Sequence, residues 1–460
     1  MAPSPFVAGI DTRLVAGVDL ATADVRVAVA AGDGRVVARA AAPLAAPHRP
    51  APGVSEQDAG SWWPAVARAL GQALAGIGGH VVAVAVSATS GTVVLADRHR
   101  EPVGPALLYD DSRAPAPERW DRLLEGAAGD AVHAWHASDL VVARLTGTSP
   151  PTDWSHALKT GYDPGAGRWC AAGAAAHLRP EVLAPTAVAG AVCDEAAAAT
   201  GLPRGCRVRL GMTDACAAQI AAGADRPGRF VSVVGTTLAV KGASEDRIDD
   251  PASGVYSHRH PDRWWLPGGA SNTGGGSLAA RFPNEDLTAL DRQAAGHGPA
   301  GAVCYPLAGT GERFPFVARD ATELWSAPAA DRVEKYRALL EGVAFVERLG
   351  YERLGRLGAP LHGPLRSAGA GSGSDVWTAI RATVLGVPIT RPVSADTAFG
   401  ACVLAAAGTF HDTLAAATDA MVDHAGAEVE PVADERDRLE ESYRRFVDAL
   451  HGRGWLPWPD

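Results

Sequence analysis

Two carboxylates occupy positions in this sequence where an acid can do chemistry. Asp19 lies in a turn of small residues between two apolar strands, where burying a carboxylate is costly unless it has a partner such as hydrated Mg²⁺ or a hydroxyl. Asp214 stands at the start of an alanine-rich helix, where a carboxylate stays ionised and can accept a proton from a hydroxyl that attacks phosphorus. Each has a structural alternative: Asp19 as an Asx turn that shapes a hairpin, and Asp214 as a helix N-cap.

Two glycine-bearing turns could hold phosphate oxygens. Gly235–Thr237 offers amide and hydroxyl hydrogen bonds, although it is also ordinary hairpin chemistry. Ala368–Trp377 combines a glycine-rich turn with a helix start, which suits a nucleotide bound at a helix N-terminus. Because Ser374 stands at the last glycine position, this is not a G-x-G-x-x-G motif, and a flexible linker is the alternative. The stretch Gly268–Gly276 has the same ambiguity.

Other polar pairs are weaker signals. Asp110 and Asp111 could bind polyol hydroxyls, with a solvated turn as the alternative. His258 and His260 have metal-like spacing without a nearby carboxylate–histidine context, so a zinc site is not expected. A Walker-type nucleotide site is excluded, because Lys159 is the one lysine followed by Ser or Thr and it lacks the preceding glycine.

Two similar hairpins carry the main turns. Apolar strands at Val15–Asp19 and Val25–Val29 flank the first turn, and strands at Phe230–Val234 and Leu238–Lys241 flank the second. Their separation of about 200 residues predicts two related α/β domains.

The segments between the hairpins predict further elements. A strand at Val81–Val86 leads into the small polar turn Ser87–Thr92, and a hairpin return is predicted at Val93–Asp97. A helix is predicted at Ala215–Ala222, and a domain boundary at Arg226–Gly228.

Two helices of the second half have apolar stripes that indicate core packing. Asp331 and Glu334 form a capping-box pattern before the first of them. The second is predicted from about Asp434 to Gly452, with its charges on a solvated outer face.

Composition limits the class of protein. A chain of 460 residues is long enough for about two to three domains. The formal net charge is −10 and no long basic run occurs, so nucleic acid and membranes are not expected partners. Six cysteines without C-x-x-C spacing, an N-terminus without a leader pattern and the lack of a long apolar run favour reduced thiols and the cytoplasm. A small diffusible substrate is expected, and both a monomer and a homodimer are compatible with the sequence.

In this order and spacing, the segments from about Val15 to Gly408 resemble the FGGY carbohydrate kinases of the actin-like ATPase superfamily. Within that family, the sequence motifs are most similar to those of the cyanobacterial and plant D-ribulose kinase group. The more general family marks are Asp19–Thr22, Thr213-Asp214, Gly235–Thr237 and the glycines near Gly369. The more specific motifs are Thr89-Ser-Gly-Thr92, Leu107-Leu-Tyr109, His156-Ala-Leu-Lys159, Gly161-Tyr162, Gly254-Val-Tyr-Ser-His258, Gly268-Gly-Ala-Ser-Asn272, Gly311-Glu-Arg-Phe-Pro315 and Ala398-Phe-Gly400.

The resemblance implies an α/β fold with two ribonuclease-H-like (actin-like ATPase) domains that flank a central cleft. The expected domains are residues 14–228, which would bind the sugar, residues 229–411, which would bind ATP, and a C-terminal helical extension at 412–460. The expected reaction is ATP- and Mg²⁺-dependent phosphorylation of a small ketose or polyol, with D-ribulose first and D-xylulose second.

The resemblance also implies roles for single residues. Asp214 would be the catalytic base, while Asp19 and Thr22 would act on phosphate and Mg²⁺. Ser90 and Asp111 would hold the ketose next to Asp214. The residues expected at the metal are Asp19 and Asp214, and those expected at ATP are Thr22, Gly235, Thr236, Thr237, Gly369, Gly371 and Trp377.

Three places depart from the family's pattern. Ala21 stands where the first phosphate turn usually has glycine, and Ser87-Ala88 replaces Asp-Gly. Ala370, Gly373 and Ser374 alter a Gly-Gly-Gly-x-x-Asn segment near the adenosine pocket. A non-catalytic sugar- or nucleotide-binding regulator is therefore an alternative, supported by Ala21 and Ser87. An actin-like ATPase with protein clients is a third reading, for which no partner-binding module is present beyond the two domains.

Overall fold

The computed structural model describes residues 12–127, 129–170, 172–422, 426 and 428–457. Residues 1–11, which belong to the N-terminal stretch without a leader pattern, lie outside the described part. The described strands are β1 (Leu14–Leu20), β2 (Asp24–Ala31), β3 (Val36–Pro43), β4 (Glu56–Gln57), β5 (Val81–Ala88), β6 (Val93–Ala96), β7 (Ala106–Leu107), β8 (His133–His136), β9 (Thr152–Asp153), β10 (Tyr162–Asp163), β11 (Arg168–Trp169), β12 (Val182–Leu183), β13 (Val188–Ala191), β14 (Arg207–Arg209), β15 (Phe230–Val234), β16 (Leu238–Gly242), β17 (Tyr256–Arg259), β18 (Trp265–Ser271), β19 (Cys304–Tyr305), β20 (Leu324–Trp325), β21 (Leu365–Ala368), β22 (Ile389–Thr390) and β23 (Glu428–Val429).

Helices connect and cover these strands. The described α-helices are α1 (Trp62–Ala73), α2 (Arg119–Gly126), α3 (Ala137–Thr146), α4 (Trp154–Lys159), α5 (Asp194–Thr200), α6 (Asp214–Ala221), α7 (Gly275–Arg281), α8 (Leu287–His297), α9 (Arg332–Arg356), α10 (Asp375–Leu385), α11 (Thr397–Ala406), α12 (Leu414–Met421) and α13 (Arg436–Gly452). Short 3₁₀ turns lie at Ala59–Ser61, Gly78–His80, Ala116–Glu118, Ala174–Leu178, Ala370–Gly373 and Ala433–Glu435. In the described part of the chain, every helix is too short or too polar to cross a membrane.

Two large sheets repeat one arrangement of five strands. In the first sheet, β3-β2-β1 are antiparallel neighbours, and β5 and then β14 continue from β1 in parallel. In the second sheet, β18-β16-β15 are antiparallel neighbours, followed by β21 and β22 in parallel. The prediction of two related α/β domains, each starting from a hairpin, is therefore confirmed.

The chain divides into two compact units. The first contains the residues up to Ala221 together with Ser394–Val422, and the second contains Ala222–Val393 and the residues after Val422. These bounds differ from the expected domains at 14–228, 229–411 and 412–460. The last expected segment is shared, because α12 belongs to the first unit, whereas β23 pairs with β22 and α13 packs in the core of the second.

The predicted hairpin return after β5 is wrong. Strand β6 pairs with β7 and β8 in a separate sheet, whose order is β4-β7-β6-β8. The reason is that β5 lies between β1 and β14, so both of its edges are already paired. The turn Ser87–Thr92 therefore links two sheets.

The capping-box pattern before α9 forms only in part. The Asp331 carboxylate accepts the N–H groups of Val333 and Glu334, as an N-cap should. The Glu334 carboxylate instead accepts N–H groups of Ala330, Gly301 and Ala302. It therefore braces the chain before β19, while the apolar stripe of α9 is buried as predicted.

Helix α11 is the element that fixes α6 against the first sheet. It contacts β1 where Gly17 leaves no side chain, since a Cβ there would overlap the Ala398 carbonyl oxygen. It contacts α6 through Gly400, where a Cβ would overlap the Ala217 carbonyl oxygen. The Ala398-Phe-Gly400 motif is thus a close-packing motif that sets the position of the helix on which Asp214 stands.

All six cysteines are free thiols, as the spacing predicted, and Cys170 is the exposed one.

Candidate functional site

The first unit gathers polar side chains where three parallel strands end. Asp19 is the neighbour of Ser87 in the β1–β5 register, near the carboxyl end of both strands. Ala88, the last residue of β5, forms a parallel bridge with Thr213, which directly precedes Asp214. In open α/β sheets ligands bind outside the carboxyl ends of strands, so this edge is the candidate site of the first unit.

Asp19 is a buried acid with an unsatisfied oxygen. Its side chain is 2% exposed, and its Oδ1 has no hydrogen-bond partner. Burial, and next the negative charge of Asp214, raise the pKa of Asp19 to about 7. The half-exposed Arg26, directly opposite in the β1–β2 register, opposes this effect with a guanidinium nitrogen 3.7 Å from Asp19 Oδ2. Asp19 and Asp214 are therefore close enough for their negative charges to repel each other.

Asp214 is the first residue of α6, as predicted. It is partly buried, and its Oδ1 accepts the N–H of Ala215 at 2.7 Å. The Asp214 carboxylate therefore lies at the positive end of the helix and accepts one N–H of its first turn.

Four hydroxyl groups, three in the Ser87–Thr92 turn and one next to Asp214, have no hydrogen-bond partner among the residues that the structure describes. The unsatisfied buried oxygens belong to Ser87, Ser90, Thr92 and Thr213. A buried polar group without a hydrogen bond costs about 1–3 kcal/mol, so native proteins keep few of them. Such a cluster next to two carboxylates fits a polar, hydroxyl-rich or phosphate-bearing ligand.

The carboxylate of Asp111 is already engaged inside the protein. It accepts the Ser55 N–H at 2.9 Å and three donors of Arg113, with Arg113 Nη2 at 2.7 Å. Burial acts to raise the pKa of Asp111, but the hydrogen bonds from Arg113 and Ser55 together with the charge of Arg113 hold the pKa below its usual range. Asp110 is more exposed and pairs with Arg49 at 2.8 Å. The structure brings Ser90, Asp19 and Asp214 to one edge and commits Asp111 to an internal ion pair.

The turn of the second unit is built from backbone contacts. The N–H of Gly235 donates to the Thr237 carbonyl at 3.0 Å and closes the turn between β15 and β16. The N–H groups of Gly275 and Gly276 donate to the carbonyls of Gly235 and Thr236 at 2.8 and 2.9 Å. The stretch Gly268–Gly276 thus resolves into the end of β18, the start of α7 and a clamp on this turn, not into a linker.

A cavity of about 630 Å³ adjoins that turn. This volume lies in the range of small-molecule and cofactor sites. Gly235, Thr236, Gly371 and Trp377 line the cavity, whereas Thr237 and Gly369 are outside its lining. Its remaining walls come mainly from α7, α8 and the start of α10.

Gly369 and Gly371 shape the cavity by close approach. Gly369 has φ +85°, and a Cβ there would lie 2.6 Å from the Val234 carbonyl oxygen. A Cβ on Gly371 would lie 2.5 Å from Val234 Cγ1 and 2.8 Å from Trp377 Cζ3. The Ala368–Trp377 segment is therefore a fixed turn, and Ser374 caps α10 by accepting the Trp377 N–H at 3.0 Å.

Two comparisons of sequence settle the family. The model of the FGGY family of carbohydrate kinases, N-terminal domain, matches residues 14–130, and the C-terminal domain of the same family matches residues 230–409. Together the matches cover more than half of the chain. This chain belongs to the FGGY family of carbohydrate kinases.

Individual relatives of this FGGY chain include xylulose kinases and a ribulokinase. A xylulose kinase from Streptomyces rubiginosus is 32% identical over 305 residues, which are 55% of this chain and 59% of that protein. A ribulokinase from Mycolicibacterium smegmatis is 30% identical over 251 residues, which are 49% of this chain and 44% of that protein. The chain thus spans about half of the length of these curated relatives. The crystal structure of a xylulose kinase from Rhodospirillum rubrum is 26% identical, with a TM-score of 0.84 over 96% of this chain and 99% of that chain. The match in structure agrees with the actin-like α/β fold that the FGGY resemblance implied.

Thr22 and Ala21 lie in the β1–β2 turn of the FGGY chain. The Ala21 N–H donates to the Asp24 carbonyl at 3.1 Å, which closes the turn, and the Thr22 carbonyl accepts from Gln57. In the described part, the non-glycine residues with positive φ are Arg100 and Asn284, so Ala21 is not in the left-handed conformation. Alanine therefore fits this turn without backbone strain.

No group of three or more His, Cys, Asp or Glu side chains within the described residues could hold a metal ion by itself.

Sequence reasoning missed two arginines at the site of the first unit. Arg26 reads as one polar residue in an alternating strand, and only the register places it opposite Asp19. The buried Arg119 donates to the carbonyls of Gly91, Tyr109 and Asp111 at 2.6–2.9 Å, and so ties the Ser90 turn to the Asp111 turn. A lone arginine at a helix start carries no sequence signal for this role.

Proposed function

We propose that this FGGY chain is an ATP-dependent kinase that phosphorylates a terminal hydroxyl of a small ketose or polyol. The observation that carries the proposal is the pair Asp19 and Asp214 at the carboxyl ends of parallel strands, among hydroxyls without partners. The sequence motifs favour D-ribulose as the substrate. The xylulose kinase and ribulokinase among the relatives named above make D-xylulose an equal candidate.

Asp214 is proposed as the catalytic base. A carboxylate at the first position of α6 stays available for the proton of a primary hydroxyl as its oxygen attacks phosphorus. The low basicity of an ordinary carboxylate suffices, because phosphoryl transfer depends mainly on positioning and on charge stabilisation.

Ser90 is proposed as a sugar contact, since its hydroxyl is buried without a partner. For Asp111 we propose an indirect role. Its oxygens already accept donors from Ser55 and Arg113, so it would hold the turn that faces the sugar and not the sugar itself.

Mg²⁺ fits the residues at this edge. Asp19 keeps a buried oxygen without a partner, and its pKa is raised in part by the charge of Asp214, so a cation would relieve both conditions. Mg²⁺ in such enzymes is held by one or two carboxylates together with substrate phosphates, and a larger protein cage is not required. Asp19 and Asp214 would hold it, and the ion would offset negative charge on the phosphoryl oxygens.

ATP is proposed to occupy the cavity of the second unit. Gly235 and Thr236 would face the phosphates through a turn without charged side chains, and Thr237 would support that turn from outside the cavity lining. Gly371 lines the part of the cavity proposed for the base and ribose, and Gly369 lets the same segment pack closely on Val234. Trp377 would present a ring edge, since its indole N–H is already donated to the Leu340 carbonyl at 3.1 Å. Thr22 is assigned to the phosphates from the β1–β2 turn.

The test is ADP release with Mg-ATP and a panel of D-ribulose, D-xylulose, L-ribulose, ribitol, arabitol, glycerol and gluconate. We expect one strong substrate, and we expect Asp214→Asn to lower kcat by at least about 100-fold with sugar affinity within about threefold. Asp33→Asn, at an exposed turn of the same unit, serves as the matched control. Equal turnover by Asp214→Asn would refute the assignment of the base. If no sugar of the panel supports ADP release although calorimetry shows ATP binding, the result would favour the non-catalytic regulator.

A further inference from the structure

A buried ion pair stands behind the site of the first unit. Asp153 is the N-cap of α4, and its Oδ1 accepts the N–H groups of Ser155 and His156 at 2.8 and 3.2 Å. The same carboxylate accepts the Ser155 hydroxyl and contacts His156 Nδ1. Asp153, Ser155 and His156 are all at most 1% exposed.

The surroundings of His156 require a protonated ring. Its Nδ1 faces the Asp153 carboxylate, and its Nε2 lies 3.2 Å from the Ala88 carbonyl oxygen, which can only accept. Burial is the largest single influence on the pKa of His156 and acts to lower it, but the charge of Asp153, the hydrogen bond to Asp153 and a smaller contribution from Asp139 together raise the pKa. Burial likewise acts to raise the pKa of Asp153, but the charge of His156 and the hydrogen bonds from His156 and Ser155 together lower it. The two groups therefore form an imidazolium–carboxylate pair.

The pair reaches the site by two separate contacts. On one side, His156 donates to Ala88, the last residue of β5 before the turn that contains Ser90. On the other side, the Ser155 hydroxyl accepts the Thr213 N–H at 2.9 Å, and Thr213 directly precedes Asp214. Because the Ser155 proton is donated to Asp153, the orientation of its accepting lone pair is fixed.

We infer that Asp153, Ser155 and His156 form a positioning unit with two arms: the His156 arm sets the sugar-facing turn after β5, and the Ser155 arm sets the Asp214 base. The inference rests on the function proposed above for this site. These three residues touch neither substrate. The His156 arm would affect sugar affinity, and the Ser155 arm would separately affect turnover.

The His156 arm is tested with two isosteric variants. His156→Asn keeps an N–H near Nδ1 for Asp153 but cannot reach Ala88, whereas His156→Gln keeps an N–H near Nε2 for the Ala88 carbonyl. We expect His156→Asn to raise the KM for the sugar by about tenfold with kcat within about threefold, and His156→Gln to stay within about threefold of the parent KM.

The Ser155 arm is tested with Ser155→Ala. The variant removes the acceptor of the Thr213 N–H, so we expect kcat to fall by about tenfold with the sugar KM within about threefold. Amide hydrogen exchange at Thr213 is expected to become at least about tenfold faster in the same variant.

A matched control exists one helix earlier. His136 is equally buried, pairs with Asp139 at 3.0 Å at the start of α3, and directs its other contacts to Thr152 and Thr160. Its ring centroid is 5.7 Å from that of His156. His136→Asn should lower thermal stability while KM, kcat and Thr213 exchange stay within about threefold of the parent.

The inference is overturned if His156→Asn and His156→Gln raise KM equally, or if His136→Asn reproduces the kinetic changes. It is also overturned if Thr213 exchange in Ser155→Ala equals that of the parent. Since hydrogen exchange needs no turnover, it tests the Ser155 arm even if the sugar panel reveals no substrate, and the two failures are thereby distinguished.

Discussion

The β1–β2 turn of the first unit and the β15–β16 turn of the second have the same place in equivalent sheets but opposite chemistry. The first follows a strand whose penultimate residue is a buried carboxylate, Asp19, with its pKa raised to about 7. The second, Gly235–Thr237, contains no charged side chain and is held by backbone bonds from Gly275 and Gly276. The buried Asp19 of β1 thus places a negative charge beside the first turn, whereas the second turn offers only backbone amide dipoles.

The two turns also differ in how they affect stability. Burying Asp19 near Asp214 opposes folding, because the ionised form is disfavoured in both its solvation and its charge environment. The second turn avoids this penalty, and Val234, which directly precedes it, is packed closely by Gly369 and Gly371, where a side chain would overlap it. We therefore expect stability and activity to be sensitive to changes of charge at the first turn and to added side-chain volume around the second.

The largest effect is expected for Asp19→Asn, which should abolish most phosphorylation and yet stabilise the metal-free protein. The pKa of Asp19 lies above its ordinary value of 3.8, so the folded state takes up a proton between about pH 4 and 7 and loses stability as the pH rises through that window. Asparagine avoids this loss. We expect a gain of roughly 1–4 kcal/mol in the free energy of unfolding at pH 8 and a much smaller gain at pH 5.

Urea unfolding in EDTA at the two pH values measures this difference. Asp33→Asn, in the exposed β2–β3 turn, is the control and should change stability by less than about 0.5 kcal/mol at either pH. A loss of stability in Asp19→Asn at both pH values would show that the carboxylate is satisfied in the free protein.

A smaller effect is expected for Gly371→Ala, in the 3₁₀ turn after β21 that packs against the residue preceding the second turn. The added Cβ would lie 2.5 Å from Val234 Cγ1 and 2.8 Å from Trp377 Cζ3, so the 3₁₀ turn or the indole ring must move into the cavity. We expect the ATP Kd to rise by about tenfold while sugar affinity is unchanged, as measured by calorimetry with each ligand.

Gly296→Ala is the matched substitution for that experiment. Gly296 lies in α8, and a Cβ there meets nothing within 4 Å. Its ATP Kd should equal that of the parent. If Gly371→Ala also binds ATP with the parent affinity, the nucleotide lies elsewhere.

The smallest effect is expected for Ala21→Gly. Ala21 does not have positive φ, so its methyl group causes no backbone strain that glycine could relieve. We expect kcat and KM within about twofold of the parent and a loss of stability of at most about 1 kcal/mol, from the greater freedom of glycine in the unfolded chain. A rise in kcat above about tenfold would instead identify the methyl group as an obstruction at the phosphate.

Local signals predicted much of this molecule. Alternating apolar residues and small turns predicted the two hairpins, and the Asp214 helix start was predicted within one residue. The pairing of β6 was not predictable in this way, because it depends on β1 and β14 occupying both edges of β5. Strand pairing of this kind is a property of the whole sheet.

The site was predictable in its carboxylates but not in its supports. Asp111 reads as half of a solvated pair, until Arg113 and Ser55 are seen to surround it. The contacts of His156 with Ala88 and of Ser155 with Thr213 join segments far apart in the chain, so no local pattern announces them.

Helix α11 reaches the first unit only after Ala222–Val393, the larger part of the second unit, has been made. Its contacts on β1 at Gly17 and on α6 at Ala217 are both synthesised once Ala221 has been reached. At ~5–20 residues per second a ribosome needs roughly 10–30 s to produce Ala222–Val393. During that interval the apolar surface that α11 later covers is exposed on the nascent first unit. Either a chaperone shields this surface or the chain remains soluble with it exposed until α11 has been synthesised.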